Sequence, residues 1–275
     1  MDKLTRPEGL HQPRVLPCGD TALAIEFGDR IDRALSMAVV ALGERISAAG
    51  LAGVVECVPT YRSLLVHYSP LKTSSAALSA EILSLAGSEA ENQAPARLFR
   101  IPACYEAALA PDLDDVAART GLSTDEVVAA HTAERYHVYM LGFLPGYPYM
   151  GDLCPALQLP RREDPRVKVP PGSVSIAMDM TAVYTYESPG GWHLIGGTPV
   201  HLFDIANTPP AVLRPGDQVM FESIPRAEYD RLAAAVERGD FALQPEAASD
   251  HGAANHGAAN HGTANHRAAE QEAPA

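Results

Sequence analysis

The chain has 275 residues, 47% of them hydrophobic, with 34 acidic and 21 basic side chains. This length allows one large domain or two small ones, and the hydrophobic share excludes a globally disordered protein. A net charge of −13 repels phosphate backbones and therefore argues against nucleic-acid binding. There is no apolar stretch of membrane-spanning length, no secretory signal pattern and no close cysteine pair, so we expect a cytoplasmic protein with free thiols.

The first third of the chain has the pattern of a small α+β domain, predicted to cover 15–95. Residues 1–14 are polar and are predicted to be flexible. Strands are predicted at 15–27 (two, around a turn), 53–58 and 62–68, and helices at 31–49 and 72–86. This order of elements predicts a sheet with its helices on one face.

The segment 96–134 is predicted as a mainly helical connector. It is predicted to contain, in order, one strand and two short helices, at 98–105, 112–119 and 123–131. Ser123 and Glu126 have the spacing of a capping box at the start of the second helix.

Helical periodicity disappears from 135, and short strand patterns separated by Gly and Pro take its place. Strands are predicted at 136–141, 174–178, 182–186, 193–197, 199–203 and 217–224, followed by a helix at 227–239. This texture predicts a β-barrel or sandwich domain over 135–240.

The segment 245–275 contains a five-residue repeat of His, Gly, Ala and Asn. It lacks large apolar residues, so we predict a disordered tail, with metal binding by its histidines as the alternative. No metal site is predicted in the folded part.

Three loops rich in Gly and Pro carry the candidate chemistry, and the first is 142–151. Rigid loops of this composition can hold aromatic faces around a ligand, although a tight core loop would have the same composition. Its candidate ligand-contacting residues are Phe143, Pro145, Gly146, Tyr147 and Tyr149.

The second loop, 159–173, holds four cations within eight residues: Arg161, Arg162, Arg166 and Lys168. Arginine forks fit phosphates and carboxylates, and Gly172 with Ser173 would add backbone N–H groups and a hydroxyl. We therefore consider an anion site, with neutralisation of the arginines by Glu163 and Asp164 as the alternative.

The third loop, 188–199, contains the only tryptophan of the chain. Two consecutive glycines there let the backbone approach a ligand closely, whereas the alternative is a β-turn beside a core tryptophan. The candidate residues are Pro189, Gly190, Gly191, Trp192 and Thr198. The common nucleotide, zinc-protease and serine-hydrolase motifs do not occur in the sequence, so any ATP site is of another type.

Taken together, several long segments resemble the family of 5-oxoprolinase B-subunits. This family is also known as allophanate hydrolase subunit 1 or as half of a urea-carboxylase-type carboxyltransferase domain, and it includes a sporulation-kinase inhibitor. The resemblance covers residues 15 to about 235 and is carried by 16–29, 58–68, 139–151, 160–177, 188–199 and 213–224.

The resemblance implies a small α+β N-terminal domain followed by a cyclophilin-like β-barrel. It implies a cytoplasmic hydrolase subunit, inactive alone, that acts in a heteromeric complex with a C-subunit and an A-subunit to convert 5-oxo-L-proline to L-glutamate using ATP and Mg²⁺. Arg161 and Arg166 would stabilise phosphoryl charge, and Ser173 would orient the ligand. Substrate binding would fall to the candidate residues of the first and third loops and to Gly172.

Three departures from the family pattern favour other roles. Met180 replaces a glutamine, Gly197 replaces an arginine, and Glu106-Ala107 replaces a Gly-Gly pair. Loss of an amide and a cation around one pocket would change the substrate or abolish catalysis. The alternatives are therefore a divergent allophanate-hydrolase or urea-carboxyltransferase subunit and a non-catalytic, kinase-inhibitor-like binding protein.

Overall fold

A computed structural model of the chain describes residues 13–87 and 96–246. The predictions for the flexible N-terminus (1–14) and the tail (245–275) lie, apart from two residues each, outside the described residues. Within the described ranges the chain forms a four-stranded sheet, a seven-stranded sheet, a two-stranded ribbon and five α-helices.

The helices are α1 (Arg33–Ala49), α2 (Ser75–Gly87), α3 (Leu113–Thr120), α4 (Thr124–Ala133) and α5 (Arg226–Glu237). The first seven strands are β1 (Arg14–Pro17), β2 (Ala22–Glu26), β3 (Val54–Pro59), β4 (Ser63–Tyr68), β5 (Leu98–Ala103), β6 (Tyr136–Leu141) and β7 (Pro148–Gly151). The remaining strands are β8 (Arg166–Val169), β9 (Ser173–Ala177), β10 (Met180–Val183), β11 (Ser188–Gly190), β12 (His193–Gly197) and β13 (Gln218–Ser223).

The four-stranded sheet is antiparallel, in the order β1-β2-β4-β3, and α1 packs against it. The helix begins where the Asp32 carboxylate accepts the Ala34 and Leu35 backbone N–H groups, and it ends at Gly50 in the left-handed conformation. Its buried face follows helical spacing, with Leu35, Val39, Leu42 and Ile46. The predicted α+β arrangement at this end of the chain is confirmed.

The seven-stranded sheet has the order β12-β9-β10-β7-β6-β13-β5. Its two ends meet through a pair of 2.8 Å backbone hydrogen bonds between Cys104, just after β5, and Gly197 in β12. The sheet is therefore a nearly closed barrel, as predicted, with a single bridge between its two end strands. No helix in the described ranges is both long and apolar enough to cross a membrane.

Several elements differ from the sequence-based expectation because their pairing is long-range. The predicted connector 96–134 supplies β5, which pairs in parallel with β13 more than a hundred residues later. Strands β7, β8 and β11 form inside Pro- and Gly-rich segments that were predicted as loops. The predicted strand 199–203 forms only an isolated bridge between Phe203 and Ala211.

Two buried histidines make hydrogen bonds within the barrel and between the barrel and helix α1. His131 accepts from the Tyr105 hydroxyl at Nδ1 (2.8 Å), and its Nε2 lies 2.9 Å from the Thr181 hydroxyl, which donates to a backbone carbonyl. The Nε2 atom must therefore carry the proton. His137 lies 3.0 Å from the hydroxyl of Ser36 in α1.

We predict that acid destabilises the fold through these two histidines. Burial lowers the pKa of His131 from 6.5 to about 3, and burial together with the Arg33 charge lowers that of His137 to about 4. The unfolded chain takes up protons below pH 6.5 that the folded protein refuses, so stability is lost as pH falls from 6.5 towards 4. The expected slope is about 1.4 kcal/mol per pH unit for each histidine.

Urea unfolding at a series of pH values would measure this slope. The variant His137→Gln should give a shallower fall, whereas His201→Gln, at an exposed histidine, should behave as the wild type. A stability that stays constant between pH 6.5 and 4 would contradict the prediction.

We also predict that Gly172→Ala destabilises the barrel more than Gly121→Ala. Both glycines have positive φ angles, +79° and +73°, so both changes introduce backbone strain. A Cβ at Gly172 would in addition lie 2.4 Å from the Thr198 carbonyl oxygen, whereas nothing lies within 4 Å at Gly121. The expected difference in unfolding free energy is about 1–3 kcal/mol, and equal values in the two variants would refute the clash.

Candidate functional site

An aromatic cluster lies where the N-terminal sheet meets the barrel; it consists of Tyr61, Tyr139, Tyr147, Tyr149 and Trp192. Tyr61 comes from the β3–β4 turn and lies 5.9 Å, between ring centroids, from both Tyr139 and Tyr149. Tyr149 lies 6.0 Å from Trp192. The rings meet at tilted or edge-on angles, the arrangement that aromatic quadrupoles favour. Two parts of the chain thus build one aromatic cluster, in which Tyr139, Tyr147 and Trp192 are buried and Tyr61 and Tyr149 are partly exposed.

Tyr61 was not among the residues predicted from the sequence. The Thr60 hydroxyl and backbone N–H both donate to the Ser63 carbonyl, which closes the hairpin that carries Tyr61. The Tyr61 hydroxyl donates to the Met180 sulfur at 3.3 Å. The available signal was its place at a turn inside 58–68, one of the segments that carry the family resemblance.

Arg161 is the cation of this site. Its guanidinium carbon lies 5.9 Å from the centre of the Trp192 ring, a cation–π contact. Its charge partly counteracts the burial that raises the pKa of Tyr61 and of Tyr149. Among the described residues no carboxylate forms an ion pair with Arg161, whereas Lys168 pairs with Glu187 at 2.8 Å.

The second loop, 159–173, is the cationic loop of the structure. Its other two arginines are held by Asp112, at the start of α3. Its buried carboxylate accepts from Arg162 at 2.8 Å and from both terminal nitrogens of Arg166, at 2.8 and 2.6 Å. The fork of Arg166 is therefore engaged by a carboxylate, and its role in stabilising phosphoryl charge stays a prediction. Sequence reasoning missed Asp112, since it reads locally as one of several acidic residues at a helix start.

Backbone contacts hold the chain on either side of Arg161. The Pro160 carbonyl lies 2.9 Å from His193 Nε2, which must donate to it. The backbone N–H of Arg162 donates to the Gly191 carbonyl at 2.8 Å. The residue before Arg161 and the residue after it are thus both fixed to the loop that carries Trp192.

The tyrosines of the cluster are proton donors at neutral pH. Burial raises the pKa of Tyr61, Tyr139 and Tyr147 well above the usual range, so their hydroxyls stay protonated. A thioether is a weak acceptor, so the hydroxyl of Tyr61 is available to a stronger acceptor such as a ligand carbonyl oxygen.

Gly172 and Thr198 lie in a neighbouring cavity of about 370 Å³, between the barrel and α5. Tyr184 connects the two places, because it lines the cavity and its ring lies 5.2 Å from that of Tyr147. The Ser173 hydroxyl donates to the Pro170 carbonyl at 2.8 Å, so toward a ligand it would act as an acceptor, and its orienting role stays a prediction.

The first and third loops frame the cluster. Phe143 is 62% exposed, and its ring lies 5.5 Å from that of Tyr147. The other residues of these loops make backbone or packing contacts. The Pro145 carbonyl accepts a hydrogen bond from the Thr185 hydroxyl, and Pro189 is exposed. The three glycines lie against other residues: Gly146 against Phe203, Gly190 against Tyr184 and Gly191 against Pro165. These residues position the aromatic rings rather than offer polar groups of their own.

The departures from the family pattern do not share one pocket, contrary to the expectation. Met180 lies in the cluster, under the hydroxyl of Tyr61. A Cβ at Gly197 would instead lie 3.2 Å from Leu109, outside the cluster. Glu106 accepts the backbone N–H of Arg226 at the start of α5, a structural role.

Comparison with known proteins identifies the family to which the chain belongs. A model of the carboxyltransferase domain, subdomain C and D, matches residues 13–213. Two proteins named as the B-subunit of 5-oxoprolinase, from Bacillus subtilis (strain 168) and Escherichia coli O157:H7, are 37% and 39% identical to the chain over 225 and 221 residues. The alignments cover 77% and 80% of this chain and 92% and 99% of those proteins.

Solved structures share the fold. The crystal structure of TTHA0988 is 36% identical, with a TM-score of 0.67 over 74% of this chain, and the chain spans 40% of that protein. The K. lactis urea amidolyase, at 20% identity and a TM-score of 0.70, covers 89% of this chain, which spans 17% of that protein. The family model and the two 5-oxoprolinase relatives together show that the chain belongs to the 5-oxoprolinase B-subunit family of carboxyltransferase domains.

Proposed function

We propose that the chain is the B-subunit of an ATP-dependent 5-oxoprolinase, which opens 5-oxo-L-proline to L-glutamate together with a C-subunit and an A-subunit. Its two close relatives carry the name of the B-subunit. The single observation that carries the proposal is Arg161, a cation without a carboxylate partner in the described chain, beside the face of Trp192. The proposed substrate is a flat five-membered lactam that bears one carboxylate. Its carboxylate needs a cation, and its ring needs an aromatic face.

In this proposal each part of the site contacts a different part of the substrate. The fork of Arg161 binds the carboxylate with two hydrogen bonds. Tyr149 and Trp192 pack against the ring, and the protonated hydroxyl of Tyr61 leaves Met180 and donates to the lactam carbonyl oxygen. That bond polarises the amide towards ring opening and stabilises charge on its oxygen.

The residues of this chain do not fit a complete Mg–ATP site. Arg166 is occupied by Asp112, so Arg161 provides a single positive charge, which suits one carboxylate better than a triphosphate. Within residues 13–87 and 96–246, no group of three or more His, Cys, Asp or Glu side chains could hold a metal ion. We derive no catalytic step through ATP and propose that the nucleotide is bound by the other subunits.

The partner subunits are part of the proposal. The names of the two relatives describe one component of a multi-subunit enzyme, and TTHA0988 is a longer chain of which this one spans 40%. We propose that the chain is inactive alone and acts in the cytoplasm with homologues of the C-subunit and the A-subunit.

A urea-type subunit is the second candidate. A putative urea carboxylase of Emericella nidulans is 25% identical over 285 residues, so part of this similarity extends to urea enzymes. Urea and allophanate are smaller planar amides and would leave much of the aromatic cluster without contact. A regulatory role has less support, because only one of the three departures, Met180, lies at the cluster.

We predict that the chain, purified with homologues of the C-subunit and the A-subunit from the same genome, forms glutamate from 5-oxoproline only when ATP is present. The chain alone should form none. Glutamate would be measured by a coupled dehydrogenase assay, with an active homologous complex as positive control. A stable ternary complex that consumes allophanate or urea but not 5-oxoproline would replace the proposal with the second candidate.

We further predict that Arg161→Ala raises the KM for 5-oxoproline about tenfold to a hundredfold. Loss of a hydrogen-bonded charge pair costs about 1.5–3 kcal/mol, which corresponds to that range. Arg238→Ala, which removes an arginine from an exposed pair with Asp240, is the matched control and should keep the wild-type KM. An unchanged KM in Arg161→Ala would show that the carboxylate binds elsewhere.

A further inference from the structure

We propose that Asp112 is a positioning residue that sets Arg161 over Trp192, although it touches neither of them. The ligand role of Arg161 belongs to the proposed function, and the functional meaning of this inference rests on it. The positioning itself is a property of the chain and is tested below without any substrate.

The carboxylate of Asp112 is saturated with donors. It is 3% exposed; Oδ1 accepts from Arg162 at 2.8 Å and from Arg166 at 2.6 Å, and Oδ2 accepts from Arg166 at 2.8 Å and from the Leu194 N–H at 2.7 Å. The backbone N–H of Asp112 returns a 3.0 Å bond to the Leu194 carbonyl. Asp112 is thus fixed to β12, two residues after Trp192, while it grips two arginines of the cationic loop.

The position of Asp112 normally serves another purpose. An aspartate before the first turn of a helix usually accepts a backbone N–H of that turn. Here the carboxylate makes no such bond to α3 and instead holds side chains 50 and 54 residues later in the chain. These hydrogen bonds indicate that the two arginines, rather than the backbone N–H groups at the start of α3, determine the orientation of the Asp112 carboxylate.

Two effects on Arg161 follow from this grip. Geometrically, Arg162 is held by both its side chain and its backbone, which fixes the backbone from which the exposed side chain of Arg161 extends over Trp192. Electrostatically, the carboxylate forms ion pairs with both Arg162 and Arg166, whose side chains are only 28% and 24% exposed, and its one negative charge offsets one of their two positive charges. Without Asp112, these two cations would compete with Arg161 for any anion that enters.

A merely structural ion pair would stabilise the fold without any effect on Arg161. Fluorescence of Trp192, the only tryptophan of the chain, distinguishes a positioning role from a merely structural one. The Trp192 ring lies under the Arg161 guanidinium, so its emission reports on that contact. Arg161→Ala sets the emission expected when the guanidinium is gone. Trypsin gives a second readout, because it cleaves after the arginines of the loop only when the loop opens.

The experiment compares Asp112→Asn, Asp112→Glu and Arg161→Ala with the wild type in the full chain. Asp114→Asn is the matched control, since it removes an exposed acid from the first turn of the same helix. Asp112→Asn replaces one acceptor with a donor. We expect it to shift Trp192 emission in the direction of Arg161→Ala and to speed cleavage of loop 159–173 by about tenfold.

Asp112→Glu should restore part of the wild-type emission, and Asp114→Asn should match the wild type in both measurements. Wild-type emission and wild-type cleavage in a folded Asp112→Asn protein would overturn the proposal. If Asp112→Asn does not fold, Arg162→Gln replaces it, because this variant keeps both hydrogen bonds between Asp112 and Arg166. It should show the same changes in emission and cleavage to a smaller extent. Wild-type emission and cleavage in Arg162→Gln would equally overturn the proposal.

Activity of the assembled complex separates this inference from the proposed function. Asp112→Asn should raise the KM for 5-oxoproline in parallel with Arg161→Ala, and a change in kcat alone would contradict the proposed route through Arg161. A wild-type complex without 5-oxoprolinase activity would refute the proposed function, while the fluorescence and cleavage results would still decide the role of Asp112.

Discussion

The buried carboxylate of Asp112 is the interaction on which the arrangement of the site depends. A buried charge must be paired and hydrogen-bonded, and here two arginines and the Leu194 N–H satisfy it completely. The same contacts join α3, the cationic loop and β12, which belong to distant parts of the chain. They also determine how the arginines are paired: Arg162 and Arg166 share the Asp112 carboxylate, whereas Arg161 has no carboxylate partner among the described residues.

The aromatic cluster adds the second constraint, because it spans the two sheets of the molecule. Tyr61 reaches the barrel from the N-terminal sheet and contacts Tyr139 and Tyr149 there. A second bridge, between Ser36 and His137, fixes the same two parts against each other. Because the site takes residues from both sides, its geometry depends on how the two sheets pack, and burial at that junction keeps the tyrosine hydroxyls protonated.

Local patterns predicted most of the fold. The helix Arg33–Ala49 has apolar residues at helical spacing between a capping aspartate and a glycine, and the strand Tyr136–Leu141 was predicted with its observed bounds. The strands Pro148–Gly151 and Arg166–Val169 were missed, because prolines and charges mask the β pattern where a neighbouring strand or ribbon supplies the hydrogen bonds. The segment 199–203 has a strand-like composition, yet it is not a strand of the seven-stranded sheet.

Composition and local patterns were enough to indicate the α+β and barrel architecture, the three loops that contribute residues to the site, and the family. It also singled out Arg161 and Trp192, because a cation-rich loop and a lone tryptophan stand out in composition. The packing of the chain was needed to show that Arg166 pairs with Asp112, that Arg161 has no carboxylate partner among the described residues, and that Tyr61 completes the cluster. The physical reason is that charge pairing and ring contact depend on distance in space, and these partners lie 50 or more residues apart along the chain.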